Sequence, residues 1–538
     1  MAINPVKTPF TNMSFTPDVP SGALGPQEYN AGRNVVTDVR GVKKVPGEEA
    51  ILSNLAGNVL YVTSNFRGNV YNFVVATDAG SWFTIDTGGV SNVTPNTANF
   101  SGNTYSVSTA FTDSWNGDVL FINDNINPPM YFLPTDQEIR LYDTPYQDQT
   151  PNVYVWNYYN QTLNWTNLRA GFLRVYSAPN VGAVLICGNL TYEIAGTVYN
   201  LPTTVRWSQA FGLNSGPTTW APTATNIANE VDVPVRGPLI DGFSLQGNFY
   251  AMSYWDTVVF SPIAYTTTAA PVFGIRLLNQ GRGVLNENCW ANTDNLVFGI
   301  DARDVWRFDG GTFTPVGNQR VKNYIYANIN PANYNQVFMV NNSAAYQIEI
   351  YYPDLDSTGY CNKMISYRYD LDIWNPPKDV ERAVEATEAP VYTANVPNIA
   401  SRTIIYARGG GAQANLQPLV QTGVGNAFVG NTSIDCEFRR DNINFSQPYS
   451  AKVQVHRVLP MVTGTGNLTV TVGGSNSMGQ SPTFKPSVDM PIDTNNPWIQ
   501  VDQNDVRVTS IKFGSNNATH AFEVTQAEWQ ITVIEETR

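Results

Sequence analysis

Charge is scarce in this chain. Asp, Glu, Lys and Arg make up 14% of its 538 residues, against roughly a quarter in an average soluble domain. Asn, Thr, Gln, Gly and Pro fill the deficit, and such side chains suit turns, sheet surfaces and broad subunit contacts better than a charge-solubilised monomer. Histidine is scarcer still. His456 and His520 are the two in the chain, which starves His-rich metal sites and most His-based acid–base machinery of parts. Cys187, Cys289, Cys361 and Cys436 lie far apart with no CxxC pair, so they fit neither a zinc site nor a dense disulfide framework, and buried, reduced thiols are expected. No window approaches the roughly 18 apolar residues of a membrane helix. The opening MAINPVKTPFTNMSF lacks the apolar stretch of a secretory signal, so assembly in a cytoplasm is expected. No GxSxG, HExxH or Walker phosphate loop appears.

What is present is apolar and aromatic: 42% hydrophobic residues and 12% aromatics, enough for a large core and more than one domain. The net charge is −13. An acidic chain gains nothing from counterion release on phosphate, so tight nucleic-acid binding is disfavoured. A wall that repels DNA would, however, leave it mobile.

Long helical periodicity is nearly absent. Runs of about four to eight residues rich in Val, Ile, Tyr, Phe and Thr alternate with Gly, Pro and Asn clusters. Clear strand candidates include Val70 to Ala76, Trp82 to Ile85, Val119 to Ile122, Phe249 to Tyr254, Val305 to Phe308 and Tyr346 to Tyr352. One phrase recurs: strand, polar turn, strand with Trp or Tyr, turn. It is seen at 68–89, 117–133 and 295–311, and twice it ends in a Gly-Gly turn. Such loose repetition predicts a β-propeller, whose blades bury one another's faces, with a β-sandwich array as the alternative. The expected fold is therefore all-β. Residues 1–50 read as an extended N-terminal arm and 51–432 as a propeller-like body with insertions. A break is expected near 376–432, where PPKDVERAVEATEAP and YARGGGAQANLQP interrupt the strands. Residues 433–538 read as a C-terminal β-sandwich-like domain.

Candidate chemistry is thin. Asp354 to Gly359 opens like a calcium loop but fails at Thr358 and Ile365, where ligands are needed, so a surface turn is the better account. Asp78 to Trp82 partly resembles the Asp-box hairpin of sialidase propellers, without the arginine cluster that would grip a carboxylate. Asp301, Asp304 and Asp309 cluster in sequence, but hairpin turns explain them without glycosidase chemistry. Trp156, Tyr158, Tyr159 and Trp165 could stack on sugar, although core packing or a subunit interface explains aromatics at least as well. The pairs Lys43-Lys44 and Arg439-Arg440 read as solvated surface, too small for a DNA-binding patch. No catalytic, cofactor-binding or metal-ligating residue is assigned.

Several elements nevertheless recur in a familiar order. Pro202-Thr203-Thr204-Val205-Arg206-Trp207-Ser208 is followed by Trp220-Ala221-Pro222. Asp241-Gly242, Val258-Val259-Phe260 and Gly281-Arg282-Gly283 come next, before Cys289. Then come Asp304 to Gly311, Arg320-Val321, Tyr351-Tyr352-Pro353, and Ile365 to Asp370 closing on Trp374. With the opening Arg33 to Val36 and Gly41 to Gly47, this succession resembles the tail nozzle (tail tubular B-like) proteins of podoviruses, the short-tailed bacteriophages, over about residues 10 to 380. The resemblance implies a propeller-based structural subunit of the virion, without enzymatic residues or cofactor. Six copies would form a ring in the distal part of the short tail, docked on an adaptor below the portal with fibres or tailspikes nearby. The ring would retain viral DNA and conduct it during ejection, without binding it specifically. The competing expectation is a receptor-binding or glycan-acting propeller or fibre protein. It would require a pocket with convergent carboxylates or an aromatic platform.

Overall fold

The computed structural model describes residues 4–51, 55, 57–67, 70–96, 100, 104–142, 166–179, 181–194, 196–220, 222, 226–263, 272–410, 418–445, 451–492 and 498–534. Five four-stranded antiparallel meanders follow one another along the chain. The first comprises Val59–Arg67, Val70–Thr77, Trp82–Asp86 and Gly89–Asn92, and the second Thr112–Asn116, Val119–Asn123, Met130–Phe132 and Arg140–Leu141. The third comprises Thr166–Ala178, Gly182–Ile194, Thr197–Trp207 and Asn229–Asp232. The fourth comprises Leu239–Leu245, Asn248–Ser253, Asp256–Pro262 and Phe273–Gln280, and the fifth Trp290–Asn292, Val297–Ile300, Val305–Phe308 and Phe313–Pro315. A sixth sheet has seven strands: Phe338–Asn342, Gln347–Tyr352, Cys361–Arg368, Ile373–Thr393, Val396–Arg408, Leu419–Thr422 and, at its far edge, Glu48–Ile51.

These sheets form a β-propeller, because each buries its faces against the next. Leu60, Val74 and Trp82 of the first pack with Leu120, Ile122 and Met130 of the second. Phe121 and Tyr131 of the second meet Leu173 and Leu185 of the third. Tyr176 and Val184 of the third meet Phe249 and Phe260 of the fourth. The fourth, fifth and sixth share one large cluster around Tyr250, Trp306 and Ile350. The ring closes where Ala389, Ile405 and Leu419 of the sixth sheet pack on Val62, Phe73 and Val75 of the first. Burial on both faces explains why second strands read as unbroken apolar runs. Val119–Asn123 is buried at every position, whereas the outer strand Gly89–Asn92 is exposed at every position.

The recurring phrase marks equivalent places. In the first, second and fifth sheets it supplies strands two and three. Its Gly-Gly turns lead from strand three to strand four, where Asp86 Oδ1 accepts from Gly88 N at 2.7 Å and Asp309 Oδ1 accepts from Gly311 N at 2.9 Å. In the fifth sheet Gly299 lies opposite Trp306, and a Cβ there would stand 2.2 Å from the indole. Glycine is what lets the ring lie flat on the strand.

One expectation needs correction in part. PPKDVERAVEATEAP does not interrupt the strands: it lies in the long hairpin of Ile373–Thr393 and Val396–Arg408, whereas most of YARGGGAQANLQP follows the end of that hairpin at Arg408, and its residues 411–417 lie outside the described residues. The prolines of PPKDVERAVEATEAP fit because the register slips beside them. Pro376 and Pro377 fall between the pairs Asn375↔Ser366 and Lys378↔Met364, and a second slip lies between Pro390 and Val391. The N-terminal arm is extended, and its strands are built into the sheets of the body and of the C-terminal domain. Asn4–Pro9 and Val42–Lys44 pair with Ala521–Ile534, Ala31–Arg33 pairs with Asp435–Ile443, and Glu48–Ile51 pairs with Leu419–Thr422. Asp18 accepts from the amides of Asn323 and Tyr324 at 2.7 and 2.9 Å, capping the helix Lys322–Asn328.

The C-terminal strands form a two-sheet sandwich that includes these arm strands. One sheet runs Ile499–Val506, Lys452–Thr465, Ala521–Ile534, Val42–Lys44 and Val35–Thr37. The other runs Thr483–Phe484, Asn467–Ser475, Val508–Asn516, Asp435–Ile443 and Ala31–Arg33. Phe10 of the arm sits edge-on to both Phe438 and Phe513, with ring centroids at 5.7 and 5.2 Å.

The closing strand is locked by charge. Glu48 is buried and pairs with the equally buried Lys378 at 2.7 Å, while Tyr406 Oη donates to it at 2.8 Å. Removing one partner of a buried pair leaves the other charge unmet. Glu48→Ala is therefore expected to destabilise the protein by about 3–5 kcal/mol. A urea-denaturation midpoint equal to that of the parent would contradict it.

Candidate functional site

The first strands of the sheets bring polar side chains together near the propeller axis. Asp241, fully buried at the start of the fourth sheet, receives Arg174 of the third in a two-pronged contact: Nε to Oδ1 at 2.9 Å and Nη2 to Oδ2 at 2.5 Å. Asp241 also accepts from the Trp290 indole of the fifth sheet at 2.7 Å and from Asn288 N at 3.1 Å. The guanidinium lies 5.1 Å from the Trp290 ring centroid. Its other hydrogen bonds reach the Asp113 carbonyl of the second sheet at 2.8 Å and Asn288 Oδ1 at 2.9 Å. Thr63 of the first sheet donates to the Asp113 carboxylate at 2.7 Å. Asn288 Nδ2 bonds the Phe111 carbonyl at 2.8 Å and Glu385 of the sixth sheet at 3.3 Å. All six sheets thus contribute to one connected set.

Beside it lies a cavity of about 50 Å³, lined among others by Leu60, Phe111, Glu287, Asn288, Phe338 and Glu385. Desolvation pushes the Glu287 carboxyl up to about 7 and that of Glu385 up to about 8, while both residues keep part of their surface exposed. Burial also raises Asp113, against the pull of Arg174. The Cys289 thiol, donating to Asn286 Oδ1 at 2.8 Å, is pushed far above its ordinary value by burial and is no nucleophile. A space that admits a few water molecules is far below the roughly 300–1,000 Å³ of ordinary ligand pockets. What this arrangement can do chemically is join six sheets and hold protons.

The residues singled out by sequence are scattered by comparison. His456 and His520 lie in the sandwich, with His456 Nε2 2.8 Å from Thr532 Oγ1 and His520 Nδ1 3.3 Å from Asn467 N. Asp354 accepts from Asp356 N at 3.0 Å and Asn362 Nδ2 at 2.8 Å, and Tyr360 O accepts from Ser357, which is a self-contained turn. Asp78 accepts from Asn58 N and Nδ2 at 3.0 and 2.6 Å, again as a turn device. Asp301 takes Arg303 N, Asp304 N and the Arg282 guanidinium, while Asp309 caps its own Gly-Gly turn. Trp156, Tyr158, Tyr159 and Trp165 lie outside the described residues. The basic pairs are not wholly solvated surface, as expected from sequence. Lys44 is buried, donating to the Asn517 and His520 carbonyls, and Arg440 is buried beside Met13 Sδ at 3.5 Å. All four cysteines are free and buried. Sequence reasoning missed Arg174, Glu287, Asn288 and Glu385. Arg174 left a trace as one charge within the apolar run AGFLRVYSA.

No protein-family model matches the chain, and no curated protein sequence matches it either. Among solved structures, the WD40 repeats of RRP9 are similar at a TM-score of 0.38, with 7% identity over 71% of this chain and 99% of that one. BBS1N in complex with ARL6DN gives 0.37, with 7% identity over 71% and 97%. The exo-beta-1,3-galactanase of Phanerochaete chrysosporium gives 0.24, with 10% identity over 90% and 100%. At such scores none of these bears on function. The chain is a β-propeller by its own sheet order and interlocking cores.

Arg174→Ala would leave Asp241 buried without its counter-charge, and a loss of about 3–5 kcal/mol is expected. Combining it with Asp241→Asn should recover part of that loss, because no unpaired charge then remains. Additive losses in the double variant, measured by thermal unfolding, would contradict the coupling.

Proposed function

We propose that this chain is a structural subunit of a short bacteriophage tail, the nozzle. In this reading six copies form a ring that retains DNA in the capsid and conducts it outwards. The observation that carries it is what happens to the residues of the ordered motifs. Asp241 joins three sheets, and Arg282 pairs with Asp301 at 3.1 Å. Trp306 donates to the Gly283 carbonyl at 3.1 Å, Trp374 to the Val316 carbonyl at 3.0 Å and Trp207 to the Ile227 carbonyl at 2.6 Å. Arg320 grips Asp372 at 2.9 Å. The polar atoms named here are thus spent on internal hydrogen bonds and ion pairs that fix strands and their connections, as a stiff building block requires. Such a wedge can tile into a ring through head-to-tail contacts that close.

The axial polar set fills the middle of the propeller, so a DNA path in this reading runs between copies. The chain's excess of acidic residues, 44 against 31 basic, suits a wall that does not hold the polymer. Only charges within about 8 Å of it would be felt at physiological salt. The partners implied are further copies of the chain, an adaptor below the portal, and fibres or tailspikes. The place implied is the distal end of the short tail. Not being an enzyme is part of the same proposal. The two carboxyl groups of the axial cavity do not serve the glycan-acting alternative, because about 50 Å³ admits no sugar ring.

Electron microscopy of the purified protein, alone and mixed with its adaptor, should show sixfold rings with an axial hole. The inner wall of those rings should carry more Asp and Glu than Lys and Arg. Particles that stay single beside the adaptor, trimeric particles, or turnover of a host surface glycan would each defeat the reading.

A further inference from the structure

The axial cavity holds two carboxyl groups that feel the pull of the one arginine beside them, while the hydrogen bonds of that arginine go elsewhere. Arg174 is committed to Asp241 through both Nε and Nη2, and its remaining contacts go to Asp113 O and Asn288 Oδ1. Glu385 receives Asn288 Nδ2 at 3.3 Å, and Glu287 lines the same cavity. The titratable groups facing this pair come from every side. Tyr61 stands on the first sheet, Asp113 on the second, Arg174 on the third and Asp241 on the fourth. The Cys289 thiol lies just before the fifth sheet, and the Cys361 thiol lies in the sixth. Two carboxyl groups, Glu287 and Glu385, therefore share the wall of a space of about 50 Å³, with the Arg174, Asp113 and Asp241 cluster beside it reached through Asn288. Like charges confined there cannot all be carried at once without strong repulsion.

We propose that the propeller axis is a proton-operated lock: with Glu287 and Glu385 neutral the sheets close on the cavity, and their joint ionisation loosens the junction of the first, second, fifth and sixth sheets. The walls that would part are Leu60, Phe111, Val337, Phe338 and Val384. This goes beyond the nozzle reading and stands or falls independently of it.

Burial places the folded-state values at about 7 for Glu287 and about 8 for Glu385, above their ordinary value of 4.5. A carboxyl raised in the folded state contributes stability that is fully present below its unfolded value. That stability is lost as pH rises through the folded value. The lock is therefore closed in mild acid and released between neutral and weakly alkaline pH.

Thermal unfolding of the full chain from about pH 5 to about pH 9 tests this. The wild-type midpoint should fall by several degrees across that range. The E287Q/E385Q variant keeps the shape of the neutral acids but cannot ionise. It should lose most of that fall and be more heat-resistant than the wild type at about pH 9. Infrared difference spectra of the wild type give a second readout that does not depend on the variant folding. A protonated-carboxyl band should be present at neutral pH and vanish on alkalinisation, and where the double variant folds it should be missing there. Equal slopes in the two proteins, or no protonated carboxyl in the wild type at neutral pH, would overturn the lock.

Discussion

Closure of the ring is the constraint on which the rest of this structure depends. Each sheet presents two apolar faces, and a linear stack would leave one of them open at either end. The sixth sheet covers the exposed face of the first through Ala389, Tyr392, Ile405 and Leu419 packed on Val62, Phe73 and Val75. Glu48–Ile51 then adds the outermost strand, bringing the start of the chain to its later part. Burying Glu48 there is tolerable because Lys378 and Tyr406 meet it.

The N-terminal arm couples this closure to the sandwich. Within about fifty residues it caps the helix after the fifth sheet, pairs with strands of both sandwich sheets, and ends as the edge of the sixth. Side-chain contacts support the same path. Thr37 N donates to Asn375 Oδ1 at 2.9 Å, and Asn34 Nδ2 reaches Asp379 at 2.7 Å and the Asp435 carbonyl at 2.8 Å. One side chain thus bridges the propeller and the sandwich. Forces on the sandwich would pass into the blades through backbone ladders and buried amides, which suits a component of an assembly under load.

The middle of the propeller is polar for a related reason. The first strands of five sheets and Ile373–Thr393 of the sixth converge where side chains are crowded, and a hydrogen-bonded set centred on Asp241 and Arg174 fixes their relative positions more specifically than apolar packing could. The cost is a group of carboxyls that cannot all be charged. The same site that aligns the blades therefore responds to protons.

The sequence alone determined the strand-turn rhythm, the all-β class and the places of the commonest hairpin phrase, because period-two patterning and Asp-Gly-Gly turns are local properties of neighbouring residues. It also marked Asp241, Arg282, Trp306 and Trp374 as special through their order along the chain. Only the tertiary structure decided that Glu48–Ile51 closes the ring, that Pro376 and Pro377 sit in a register slip within a long strand, and that Arg174, Glu287, Asn288 and Glu385 meet. Those outcomes depend on pairings between residues up to several hundred positions apart. Glu385 in RAVEATEA carries no local sign of the arginine, the aspartates or the cavity that will surround it.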